Sequence, residues 1–141
     1  MKFRAVEDGF LVRLEKGEEV VSTLTAFVRE QQISSGFISG MGAVTEATIG
    51  IFDIERKEYF KKSFENDLEI GNLTANISYL DETGEPFIHA HVTVSDHSLR
   101  AYTGHLFSAT VLITLEIYIK VFKEKLIRKR DQTMGFNFWQ L

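Results

Sequence analysis

"VLITLEIYIK" (111–120), continued by Val121, has the alternating pattern of a long strand. Alternation along it puts Val111, Ile113, Leu115, Ile117, Ile119 and Val121 on one face, with Thr114, Glu116, Tyr118 and Lys120 on the other. A period of two belongs to an extended strand, and an aliphatic row this long needs a core to lie against. The opposite face is mixed, which is the pattern of an antiparallel sheet covered on one side.

Outward from this strand, most of the chain has the same character: short runs of β-branched and aromatic residues broken by Gly, Asn and Asp. They predict strands near 9–14, 37–44, 46–53, 58–64, 68–80, 87–95, 99–103, 110–122 and 125–130, with a last extended piece at 136–141. One segment differs. "GEEVVSTLTAFVREQQIS" spaces Val20, Val21, Leu24, Phe27 and Val28 as a single helical stripe, with Glu18 and Glu19 near the positive end of the helix dipole and "SSG" (34–36) as its stop. The expected architecture is α+β: a central, mostly antiparallel sheet with one main helix (about 17–33) packed on it, in one domain spanning 1–141. "SGMGAV" (39–44) is read as a tight turn rather than a phosphate loop. It lacks GxGxxG spacing, no Lys-Ser/Thr follows, and the next segment is a strand.

Composition narrows the chemistry. The 141 residues are 44% hydrophobic and 26% charged, enough apolar material for a core and too little charge for disorder. There is no cysteine, so disulfides, thiolate metal sites and a thiol nucleophile are excluded, and any metal must be held by nitrogen or oxygen. A net charge of −4 and a pI near 5.6 oppose independent nucleic-acid binding, which depends on clustered Lys and Arg. "MKFRAVEDGFLVRL" lacks the apolar core of a signal peptide, and no apolar run approaches the ~18 residues of a membrane span. A soluble, cytoplasmic protein is expected.

The candidate site is in "PFIHAHVTVSD" (86–96). Strand parity puts Ile88, Ala90, Val92 and Val94 on the core side and His89 and His91 together on the other, roughly 7 Å apart between Cα atoms. Two rings at that spacing can converge on one ion. His105, in "SLRAYTGHLF", follows a turn and a short strand. If 99–103 pairs back on 87–95 as a hairpin, His105 returns near His89 and three imidazoles meet, leaving a fourth tetrahedral position open. His97, in "SDHS", is read as a solvated turn residue.

These pieces in order ("GFISGMGAV" at 36–44 after one helix, "LEIGNL" at 68–73, "PFIHAHVTVSD", then "GHL" at 104–106 before a long aliphatic strand) resemble the plants-and-prokaryotes-conserved domain, called PPC or PCC. The resemblance runs from about residue 9 to 141. It implies a homotrimer, and a divalent metal, zinc foremost, held by the histidines at His89, His91 and His105. It also implies an assembly or regulatory role, with DNA-binding by association only for stand-alone prokaryotic members; no Arg-Gly-Arg-Pro AT-hook core occurs in the sequence. Two departures from the family pattern, Thr103 before Gly104 and "SDHS" where the turn often carries Gly, bear on hairpin shape more than on ligand identity.

The alternative is a metal-dependent hydrolase or lyase acting on a small molecule at the same ion, with Glu69 or Glu116 as base. Either carboxylate is equally read as an acceptor that orients a histidine, or as an interface ion pair. "KEKLIRKRD" (123–131), the one basic cluster, is read as a solvated edge strand, and the aromatics of "FNFWQL" as cover for a sheet edge or subunit contact.

Overall fold

The computed structural model describes all 141 residues, Met1–Leu141. The chain order is β1 (Lys2–Val6), β2 (Gly9–Glu15), α1 (Val20–Glu30), β3 (Ser35–Asp53), β4 (Glu58–Phe64), β5 (Leu68–Leu80), β6 (Pro86–Ser95), β7 (Ala101–Phe122), β8 (Ile127–Arg130) and β9 (Asn137–Trp139). Every strand pairing is antiparallel except β5 with β8. The mostly antiparallel α+β reading therefore holds.

Two very long strands organise the sheet. β3 pairs with β5 and β7, β5 with β6, and β6 with β7, so these four strands form a closed circuit with their aliphatic faces turned inward. A closed circuit leaves none of its members as a bare edge. Twenty-six buried residues make one continuous core, including Leu14, Ile38, Leu73, Ile77, Val92, Leu115 and Ile119. The helix adds Val20, Leu24, Phe27 and Val28 to it.

The helix starts where acidic residues are expected, by a direct mechanism. The Glu19 carboxylate caps it, accepting from Val21 N (3.1 Å) and Ser22 N (2.6 Å), and it accepts a further bond from Ala109 N of β7 (3.3 Å). Its end comes earlier than "SSG". Gln32 adopts a left-handed φ of 53° and Ile33 N donates back to Val28 O (3.0 Å), which closes the last turn and buries Ile33. Ser35 and Gly36 already belong to β3.

Three further differences share one cause, the bending of β3 and β7. The expected strands 37–44 and 46–53 are one strand, and so are 99–103 and 110–122. "SGMGAV" is not a turn. It is an irregular stretch inside β3 where the register shifts, and a Cβ at Gly42 would stand 2.1 Å from Thr114 O. Across that irregularity Gly42 faces Leu115 while Val44 faces Val111, so β7 spends two extra residues and Ile113 is thrown outward, 67% exposed. The alternation that placed Ile113 in the core is broken at that one position. β1, not foreseen, is a largely exposed edge strand whose side chains give no periodic signal.

Candidate metal centre

The parity of β6 is as read. Ile88, Ala90, Val92 and Val94 are buried, while His89 is half-buried and His91 exposed on the opposite face. The ladder to β7 sets Val92 against Gly104 and His91 against His105, so the third imidazole arrives directly across from the second. Ring centroids are 5.1 Å apart for His89–His91, 5.2 Å for His89–His105 and 5.6 Å for His91–His105. One ring nitrogen from each residue lies within 4.8 Å of the others. Tetrahedral ligation at ~2.0–2.1 Å needs nitrogens ~3.3 Å apart, a change within reach of side-chain torsions.

Two devices hold that register. At the β6–β7 turn the Asp96 carboxylate accepts from Ser98 N (2.9 Å), Ser98 Oγ (2.6 Å), Arg100 N (3.1 Å) and the Tyr102 hydroxyl (3.1 Å). His97 sits exposed in this turn, as expected. Beside His105, Gly104 lets β3 approach: a Cβ there would lie 2.7 Å from Gly50 O, so only glycine fits without moving backbone.

Burial sets the charge state of the cluster. It pushes His89 down from the ordinary histidine value to about 4, with the Arg128 guanidinium and then His105 and His91 adding to the effect. His105 is also lowered, first by burial and then by His91 and Lys61. Both rings are neutral near pH 7, and each keeps one nitrogen with a lone pair. The buried Nδ1 of His105 has no hydrogen-bond partner. The ring that carries it lies 5.2 Å and 5.6 Å from two other imidazoles, so the orphaned nitrogen belongs to a cluster of nitrogen ligands. Neutral nitrogen ligands without thiolates suit Zn, Ni or Fe, so the residues fit a divalent ion.

Neither glutamate joins the histidines. Glu69 pairs with Ser95, four positions along β6 from His91, and lies in a hollow with Asp67, Asp96 and His97. Glu116 pairs with Arg13 and Met41 at the far end of β7. The group that does reach the site is Arg128, although "KEKLIRKRD" (123–131) reads as a solvated edge strand. β8 is no edge, being held between β5 and β9, and Arg128 is 8% exposed. It donates from Nε to Ser78 Oγ (2.8 Å), from Nη1 to Asn137 O (2.7 Å) and from Nη2 to Asn76 Oδ1 (2.9 Å), and Nη2 stands 3.4 Å from His89 Nδ1. Its Cζ lies 5.4 Å from both the Phe87 and Trp139 ring centres. The only trace of this in the sequence is the aromatic C-terminus that supplies Trp139.

The fold and the cluster together define a small β-domain, a closed antiparallel circuit around an apolar core, with three imidazoles gathered on the outer face of its β6–β7 hairpin. The chain belongs to the Plants and Prokaryotes Conserved (PCC) domain family, whose model matches residues 1–123. No curated protein matches it. Among solved structures it is similar to the metal-containing protein from Archaeoglobus fulgidus (38% identity, TM-score 0.85, 100% of each chain covered). It is also similar to a plant- and prokaryote-conserved protein from Pyrococcus horikoshii (30% identity, TM-score 0.86, covering 99% of this chain and 95% of that one). A Bacteroides thetaiotaomicron protein described as a "putative dna binding protein" matches with 32% identity and a TM-score of 0.94 over 99% of this chain and 96% of that one. No helix is long and apolar enough to cross a membrane.

Proposed function

We propose that this is a homotrimeric, cytoplasmic PCC module that holds a divalent metal ion, zinc in the first place, through His89, His91 and His105, and acts in assembly or regulation. The observation that carries the reading is the convergence of three ring nitrogens within 4.8 Å, with His105 Nδ1 otherwise unpartnered. The Archaeoglobus relative, described as metal-containing, supports it. Support for self-association comes from apolar side chains left in water. Leu11 and Met41 are 48% and 64% exposed around one hollow across β2, β3 and β7.

Metal analysis of tag-free protein tests the site. Wild type is expected to carry about one ion per chain, and His91→Ala far less; equal content in both would remove the reading. Light scattering tests the trimer, expected at three times 16.1 kDa.

The metal-dependent hydrolase or lyase is favoured by one feature, a pocket opening beside His89 and His105. No Asp or Glu lines that pocket, so a base would have to come from elsewhere. A DNA-associated role rests on how relatives are described. A chain of net charge −4 would need assembly to gather a basic face, and a mobility shift at low salt checks it.

A further inference from the structure

The pocket beside the histidines has a chemistry of its own. It measures about 540 Å³, within the range of small-molecule sites. Its walls are aromatic, with Phe52, Tyr59 and Phe87 from the sheet and Phe136 and Phe138 from the segment running into β9. Phe136 packs edge-on against Phe52 at 4.4 Å, so the C-terminal segment closes one side. The polar lining consists of His89, His105, Arg128 and Asn137.

The charge of that lining is one-sided. Arg128 is buried and permanently cationic, and no carboxylate of the protein offsets it in the pocket. Of its five N–H groups, three donate to Ser78, Asn137 and Asn76 and a fourth faces His89, so one on Nη1 stays free. A divalent ion on three neutral imidazoles would add two further positive charges at the same wall and keep one coordination position unfilled. Positive charge at low dielectric demands an anion, and aromatic walls favour an apolar body behind it.

We propose that this pocket binds a small monocarboxylate with an aromatic body, its carboxylate answering the positive charge of Arg128 and of a divalent ion on the histidines, and its ring lying against the aromatic wall of Phe52, Tyr59 and Phe136. This rests on the metal reading above and adds the class of ligand that completes the ion. It also gives the C-terminal strands, which lie beyond the family match at residues 1–123, the task of building the ligand's enclosure.

Calorimetry with phenylacetate as the probe tests it on full-length protein, with zinc content measured in each sample. Phenylacetate is expected to bind zinc-loaded protein at least about tenfold more tightly than zinc-free protein, and about tenfold more tightly than neutral 2-phenylacetamide. Phe136→Ala is expected to weaken phenylacetate about tenfold. A zinc-loaded protein that ignores phenylacetate, or takes the amide equally well, overturns the ligand proposal and leaves the metal site standing. Inorganic phosphate binding as tightly as phenylacetate overturns the aromatic-body part. A protein that takes up no zinc overturns both readings together.

Discussion

His105 stands directly opposite His91 in the β6–β7 ladder, and Gly104 beside it opposite Val92. The three-histidine cluster is thus a product of hairpin register, because a slip by one residue would turn His105 to the core side and break the trio. What stabilises the register should therefore control metal content.

Gly104→Ala drives a Cβ to 2.7 Å from Gly50 O, where backbone and not a flexible side chain must give way. The expected cost is about 1–3 kcal/mol of stability, as for overpacking of a filled site. Metal content should fall with it, because His105 moves with β7. Urea denaturation and metal analysis on the same preparation check both.

Asp96 supplies the pH dependence of the hairpin. Its carboxyl is lowered to about 2, first by the Ser98 hydroxyl and then by the Arg100 and Ser98 amides and Tyr102. A carboxyl with a depressed folded-state pKa contributes stability that is fully present above its unfolded value near ~3.9 and is lost as pH falls towards the folded one. The thermal midpoint of wild type should drop between about pH 4 and pH 2 more steeply than that of Asp96→Asn, with calorimetry as the measurement.

The proposed metal site predicts that chelation lowers stability by mass action. At free zinc 100 times its dissociation constant the gain is about 2.7 kcal/mol, so chelation is expected to lower the melting temperature of wild type and leave that of His91→Ala unchanged. An identical chelator effect on both proteins would locate any bound zinc elsewhere.

Arg128→Met takes away the donor to Ser78, which is fully buried, and to Asn76. Leaving such groups unpaired costs about 1–3 kcal/mol. The C-terminal hairpin also loses its bond to Asn137 O, so limited proteolysis after residue 123 should speed up.

Ile113 and Leu115 test the break in β7. Leu115 has no exposed surface and Ile113 is 67% exposed, although simple alternation makes them equivalent. Leu115→Ala is expected to cost about 2–5 kcal/mol, and Ile113→Ala within about 0.5 kcal/mol, by chemical denaturation.

Much of this was legible locally. The parity of β6, the apolar stripe of α1 and the alternation at 115–119 each follow from the period of a single element, and residues two or four apart suffice to read them. His89 and His91 share a face by that rule alone, and a returning strand was enough to bring His105 into the trio.

The rest was decided between elements far apart in the chain. Ile113 leaves the core because β3 is shorter than β7 across their shared irregularity, and no local pattern in β7 records its partner's length. Arg128 reads as a surface charge until β5, β6 and β9 surround it with Ser78, Asn76, His89 and Asn137, more than thirty-five residues away in all but the last case. The side-chain parity of β6 and of 115–119 follows from the local sequence, because side-chain direction is a property of the local backbone. Which groups meet across that face, and so the electropositive aromatic pocket, was decided only by strand pairing, because contacts between distant segments depend on register and bending.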